Sequence, residues 1–361
     1  MESSKPNRRQ ILIRIGEATA WITVSGALVG AFHGGDNPRN TPEGSRKQRW
    51  SETHLLPNTD AEVKPVPGTR PEFTPLESHF RMDINTAPLS LKEADWKLQI
   101  KGLVERPLEF TLSDIRKQNP MHQFVTLACI TNPLGGPLIG TTRWTGVSMQ
   151  KILEAIHPRP NARHLKFRSA DGYYEVMALD AVRRDSRIML AYEWDGLTLS
   201  PEHGFPLRLY IPDLYGMKLP KWIVSIELMD RAEKGYWVER GWDAEARVRA
   251  TASIDAVDGK INMTRGEGPL VIPIGGFANA GARGISKVQV RVDQEPWREA
   301  QLRAPLSSTT WVLWRLDWPF KSGRHTFTVR CFDGKGTPQI TAEAPSYPSG
   351  ATGLQSIKAT L

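Results

Sequence analysis

Cys129 is one of only two cysteines in 361 residues, and its neighbours suit contact with a ligand. Ahead of it, Gln123 to Ala128 reads as a short buried strand. Behind it stand Asn132-Pro133 and Gly135-Gly136, two strong turn signals. A thiol is thus presented at a strand end, beside backbone that a ligand can approach closely. Three fates suit such a residue. A free cysteine is often a small buried hydrophobe. Its thiolate can bind a soft transition metal. With a His base nearby it can act as a nucleophile. The glycine-rich loop weighs against the first fate, because a structural cysteine needs no such neighbours. The residues alone leave the other two open.

Elements that could carry this loop follow on both sides. Trp96 to Val104 and Pro107 to Thr111 read as strands, with a short helix from Asp114 capped by Ser113. After Cys129, Ser148 caps a helix that runs to Ile156. Strands are expected at His164–Arg168, Glu175–Leu179, Ile188–Tyr192, Leu207–Pro212 and Ile223–Met229, with a helix near Leu179–Asp185. Short strands and helices mix without a regular βαβ period, which favours α+β over a doubly wound sheet. From Val248 onward the pattern changes. Strand-like runs at Ala252–Ile254, Leu270–Gly275, Ser286–Val292, Thr309–Asp317 and His325–Phe332 alternate with turn signals such as Asp258-Gly259 and Asp333-Gly334. That spacing suggests an immunoglobulin-like sandwich. Cys331 lies on an alternating run and is expected in its core.

The segment A-C-I-T-N-P-L-G-G-P-L-I-G-T-T-R-W-T-G-V, residues 128–147, resembles the core of the sulfite-oxidase family of molybdenum enzymes. Further matches are His79-Phe80-Arg81, the F-R-S-A-D-G-Y run holding Ser169, Ala191-Tyr192-Glu193, H-G-F-P-L-R from His203 to Arg208, and Y-G-M-K-L-P-K-W from Tyr215 to Trp222. The resemblance spans residues 71 to 345. It implies a molybdopterin cofactor whose molybdenum is ligated by Cys129. It also implies that Tyr192 points its phenol at the metal and that Arg81 attracts an oxyanion. His79, Phe80 and Ser169 would face the cofactor, while His203 and Arg208 hold its phosphate. Arg suits phosphate because its planar fork makes paired, charge-assisted hydrogen bonds. Gly216 would let backbone amides approach, with Lys218 and Lys221 adding charge. The fold implied is a molybdopterin-binding domain (71–245) followed by the sandwich (246–345), which in this family often mediates a homodimer, and a coil tail (346–361).

One departure bears on substrate. Sulfite oxidases carry an Arg a few residues after the ligand cysteine, where this chain reads Ile130-Thr131-Asn132-Pro133-Leu134. Unless Arg81 or Arg283 substitutes, sulfite oxidation is expected to be weak and salt-dependent, and a less charged S- or N-oxide becomes the alternative small-molecule substrate. The rival reading is a non-catalytic binding protein on a degenerate oxidase domain; the retained Cys129, Tyr192, His203 and Arg208 weigh against it.

A net charge of +8 admits a nucleic-acid partner, but the cations are scattered and no recognition motif appears. A polyanionic cofactor or an acidic electron-transfer partner accounts for the charge equally well. There is no G-x-G-x-x-G after a strand, no Walker loop, no C-x-x-C haem signature and no hydrolase triad signature, so a separate cytochrome-type protein is expected to exchange the electrons. Residues 1–35 place Arg8-Arg9 before an apolar run and offer Val29-Gly30-Ala31 for cleavage, resembling a twin-arginine export signal. A periplasmic or exported protein is expected, membrane-anchored if that segment is kept. Residues 36–70, rich in Pro and charge, read as an extended linker.

Overall fold

The computed structural model describes residues 12–15, 18–21, 47–258 and 270–361. Arg8-Arg9 and Val29-Gly30-Ala31 lie outside the described residues. Between them β1 (Leu12–Ile15) and β2 (Ala18–Trp21) pair antiparallel. No helix among the described residues is long and apolar enough to cross a membrane.

The chain continues through α1 (Trp50–Thr53), β3 (Leu98–Gly102), β4 (Leu108–Phe110), α2 (Leu112–Arg116), β5 (Met121–Ala128) and β6 (Ile139–Ser148). Then come α3 (Met149–Ile156), β7 (His164–Ser169), β8 (Tyr174–Ala178), α4 (Leu179–Arg184) and β9 (Met189–Trp194). β10 (Leu197–Thr198), β11 (Arg208–Tyr210) and β12 (Ile223–Met229) complete this part. One sheet has the order β10-β9-β6-β5, with β11 also on β9, and is antiparallel throughout. The other, β4-β3-β12-β7-β8, is mixed, because β3 and β12 run parallel. A single apolar core draws Ile100, Leu165 and Ile226 from the mixed sheet, Val125, Trp144 and Leu190 from the antiparallel one, and Ile152 from α3. The architecture is α+β.

Local sequence accounts for the helix ends. Ser148 Oγ accepts from Gln150 N–H at 3.2 Å, and α3 buries Met149, Ile152, Leu153 and Ile156, the spacing of one helical face. Around α2 the cap is Thr111, not Ser113. Asp114 N–H donates to Thr111 Oγ1 at 3.2 Å and Thr111 N–H to Asp114 Oδ2 at 3.1 Å, a reciprocal pair that satisfies two otherwise orphaned donors.

The second part contains β13 (Thr251–Val257), β14 (Val271–Asn279), β15 (Ile285–Val292), β16 (Arg298–Glu299), β17 (Gln301–Leu302), β18 (Val312–Pro319), β19 (Arg324–Asp333) and β20 (Ser356–Thr360). They form two four-stranded antiparallel sheets, β13-β14-β18-β17 and β16-β15-β19-β20. Ile272, Ile274 and Trp314 of the first pack against Val290, Phe327 and Val329 of the second, making a β-sandwich. Cys331 is fully buried in this core, and its thiol donates to Gln339 at 3.4 Å. The tail differs from the expected coil over the first domain. Its residues 356–360 form β20, which pairs with β19; Ile357 and Ala359 pack on the sandwich core while Ser356, Lys358 and Thr360 face solvent. The alternation is present in Ser356-Ile357-Lys358-Ala359-Thr360 but spans only five residues of an otherwise small and polar tail.

Residues 47–74 are bound firmly to both parts. Buried Arg303 donates to Glu72 Oε2 at 2.9 Å and to the Asn58 carbonyl at 2.8 Å, and Trp311 Nε1–H donates to the Glu72 carbonyl at 2.9 Å. Thr74 N–H reaches the Thr141 carbonyl in β6 at 2.7 Å. A third apolar cluster lies across the junction, with Ala128, Ile130, Tyr215 and Met217 against Phe277, Trp311 and Leu313.

Candidate active site

Cys129 follows β5 directly, in the loop that returns the chain to β6. Its N–H donates to the Leu138 carbonyl at 2.9 Å, and Asn132 Oδ1 accepts from Leu138 N–H at 2.8 Å, so the turn is closed at its base. Gly135 holds φ +71, and a side chain at Gly136 would meet Asn132 Oδ1 at 2.5 Å, which explains the glycine pair. The thiol lies 3.0 Å from Thr131 Oγ1, and burial pushes its pKa up.

Cys129 lines a cleft that encloses about 1170 Å³ of empty space, solvent at its mouth included. At one end of the cleft the lining is basic and imidazole-rich. His79 and His203 meet edge-on at 5.6 Å, and His203 rests 4.2 Å from Trp194. Arg208, the first residue of β11, is buried above the Trp144 ring at 4.8 Å and donates to the His203 carbonyl at 3.1 Å. Burial lowers it to about 10, so it stays cationic at neutral pH. Burial also lowers Lys221, to about 8, although Asp83 at 3.2 Å partly restores its charge. His79 is pushed down to about 4 by burial and then by the Arg208 charge, so it is a neutral imidazole. His203 is driven further down by the same burial and by its neighbours His79 and Arg208.

Cys129 shares the lining with Leu127, Ile130, Met217, Trp237 and Trp242, and Ile130, Met217 and the two tryptophans belong to one apolar cluster. Tyr173 also lines the cleft and donates to the Met217 carbonyl. Burial, then the Glu175 charge, holds its phenol well above the usual range.

Several residues singled out in the sequence are brought together here: His79, Phe80, Cys129, His203, Arg208, Gly216 and Lys221 all line the cleft. Others go elsewhere. Tyr192, in the middle of β9, faces the apolar core of the two sheets and is not part of the lining; the cleft's phenol is Tyr173. Lys218 is buried against Glu175, Nζ to Oε1 2.9 Å, outside the lining. Arg81 is held by Asp83 at 2.8 Å, and Asp83 rather than Arg81 faces the cleft. Ser169 ends β7 with its hydroxyl buried and unpartnered, just outside the lining. Arg283 is bound to Asp213 and to Asp333, so it supplies no cation to the cleft either. In the loop after Cys129 only Ile130 and Thr131 face the cleft; Asn132 to Leu134 line a small separate pocket beside Tyr215 and Arg249. Asp83, Asp171, Tyr173, Trp237 and Trp242 also line the cleft. Asp171 and Tyr173 stood inside a motif already quoted, whereas the tryptophans sit in what reads in sequence as an interdomain connection.

An oxidoreductase molybdopterin binding domain is matched over residues 85–237. Sulfite oxidase of Arabidopsis thaliana is 24% identical over 272 residues, covering 63% of this chain and 69% of its own. These matches make the chain similar to molybdopterin oxidoreductases of the sulfite-oxidase type. Nitrate reductase [NADH] of Petunia hybrida is 28% identical over 195 residues; that match takes in 46% of this chain and 21% of the longer relative. In fold, the chain is similar to the sulfane dehydrogenase SoxCD from Paracoccus pantotrophus, with a TM-score of 0.69 at 20% identity, over 90% of this chain and 93% of the other.

The residues present fit a molybdopterin. Both ring nitrogens of His79 and the Ser169 hydroxyl are buried without a hydrogen-bond partner, an arrangement that is costly unless a polar ligand completes it. A side chain added at Gly216 would meet nothing closer than the Ala128 carbonyl at 3.6 Å, so the backbone there lies open to a ligand. Arg208 and Lys221 supply positive charge for a phosphate, and Cys129 supplies a soft donor for the metal.

Proposed function

We propose that this chain is an exported oxidoreductase that moves an oxygen atom and two electrons between a small sulfur or nitrogen compound and water, with a separate cytochrome-type protein as the electron carrier. The observation that carries this reading is the two-ended cleft, basic at Arg208 and Lys221 and apolar around Cys129. Molybdenum on a molybdopterin would supply the two-electron oxo chemistry. Cys129 would give the thiolate ligand. Arg208, Lys221 and His203 would hold the phosphate end, and His79 and Ser169 would hydrogen-bond the pterin. Thr131 beside the thiol can donate to it and steady its orientation. Tyr173 keeps a neutral phenol at this end; its proton goes to Met217, and its oxygen can accept from a protonated substrate or water.

The apolar end favours a substrate of low charge. Of the cleft's two cations, Lys221 is already paired with Asp83, and burial of the Cys129 thiol comes with no cation beside it among the described residues. An organic sulfoxide taking up two electrons and two protons to give the corresponding thioether and water balances without a cation in the pocket. Sulfite plus water giving sulfate, two electrons and two protons is the competing direction, and it needs a held dianion. The relatives act, by name, on sulfite, nitrate and sulfane, so the reaction itself is the part that needs measuring.

Export is proposed on Arg8-Arg9 and the apolar run that follows. A net charge of +8 suits an acidic electron carrier, and a homodimer through the sandwich follows from the family resemblance. Metal analysis with release of a fluorescent pterin from the purified protein tests the cofactor. Cofactor-competent protein without molybdenum would overturn the reading. Turnover of sulfite and of dimethyl sulfoxide across a range of ionic strength then separates the two directions.

A further inference from the structure

Trp237 and Trp242 come from the segment between β12 and β13, and both line the cleft. Their rings lie 6.3 Å apart at 77°, two nearly perpendicular apolar walls. Trp237 is backed by Tyr236 at 5.2 Å, and Trp242 by Tyr347 at 5.2 Å, so neither wall depends on the other for its place. Trp242 belongs to the same apolar cluster as Ile130 and Met217, which flank Cys129 in the cleft. It is 5% exposed, and its indole N–H has no hydrogen-bond partner. A buried, unpartnered donor costs stability unless a ligand completes it. Indole nitrogen only donates, so what completes it is an acceptor.

We infer that Trp237 and Trp242 form a substrate subsite for a neutral oxide oxygen carrying an apolar organic group, an organic sulfoxide or amine N-oxide rather than an inorganic oxyanion. The Trp242 N–H donates to the oxide oxygen. The two ring faces, with Met217, take the organic substituent, where aromatic contact adds to simple area burial. An inorganic dianion gains nothing from the rings and meets no cation at this end. This inference rests on the oxygen-transfer reading above and narrows its substrate class.

The test is equilibrium dialysis of the purified full-length protein with methyl phenyl sulfoxide, dimethyl sulfoxide and sulfite. The parent is expected to bind methyl phenyl sulfoxide about tenfold more tightly than dimethyl sulfoxide. Trp237→Leu should remove that preference. Trp242→Phe keeps a ring but loses the donor, so it should weaken both sulfoxides severalfold and leave the preference in place. In turnover each change should raise KM for the sulfoxides, while cofactor content stays near the parent value. Equal binding of the two sulfoxides by the parent, or a preference that survives in Trp237→Leu, overturns the subsite. Protein that contains molybdenum yet binds only sulfite keeps the family chemistry and loses the subsite. Protein without molybdenum that still shows the sulfoxide preference keeps the subsite and loses the reaction assigned to it.

Discussion

The Arg81 guanidinium is bound to the Asp83 carboxylate two residues along the chain, Nε to Oδ2 2.8 Å and Nη2 to Oδ1 3.3 Å. The same carboxylate accepts from Lys221 at 3.2 Å. One buried anion therefore occupies two of the cations that could serve an oxyanion. Asp83→Asn keeps the shape and removes the charge. Sulfite KM is expected to fall about tenfold, the size of one charge-assisted hydrogen bond, and to become more salt-sensitive. Steady-state kinetics at low and high ionic strength check this; an unchanged KM would mean that Arg81 does not reach the cleft once released.

Cys129→Ser should fold, since serine fits the space and Thr131 can still bond to it, yet lose molybdenum. A hydroxyl is a poor replacement for a soft thiolate. Metal content and circular dichroism are the measurements. A variant that retains both metal and full activity would remove Cys129 from the centre.

Among the described residues Arg208 donates to the His203 carbonyl alone, and its remaining donors are available to a phosphate. Arg208→Ala should cost cofactor binding roughly 1.5–3 kcal/mol. Pterin content after mild dialysis reports it, and full occupancy would place the phosphate elsewhere.

Lys221 and Lys218 should behave oppositely. Lys218→Met leaves Glu175 buried and unpaired, so unfolding free energy should drop by about 3–5 kcal/mol in denaturant titration. Lys221→Met should instead lower anion affinity.

The lowered pKa of Lys221, about 8, also sets a pH dependence. Below that value the amine of the cofactor-free chain is charged, and above it neutral, so sulfate affinity should fall as pH rises through about 8. Sulfate stays a dianion over this range. Calorimetric titration should show the decline in the parent and none in Lys221→Met. The sign for folding is the reverse: charging a buried Lys costs stability below about 8, and that cost is relieved between about 8 and the unfolded value near 10.5.

Contiguous motifs carried the family resemblance, the α+β class and the segments that meet at the cleft. A strand, a Pro-Gly turn and a strand present Cys129 wherever the sheets happen to pack, because that geometry is local. His203 and Arg208 were legible together for the same reason: the short chain between them fixes their separation. What the sequence left open was the direction in which each side chain points. Tyr192 and Tyr173 both sit in matched motifs, but β9 is buried along almost its whole length and Tyr192 packs in the core, whereas Tyr173 reaches the cleft after the Asp171-Gly172 turn. Arg81 and Lys218 look like free cations in one dimension. Asp83 stands two residues from Arg81, so that pair is local, whereas only packing brings Glu175 against Lys218; in both cases a buried charge takes the nearest counter-charge. The aromatic walls are tertiary altogether. Trp237 and Trp242 lie on a connection without periodicity, and they become part of the site because the sandwich and residues 347–350 fold back against it.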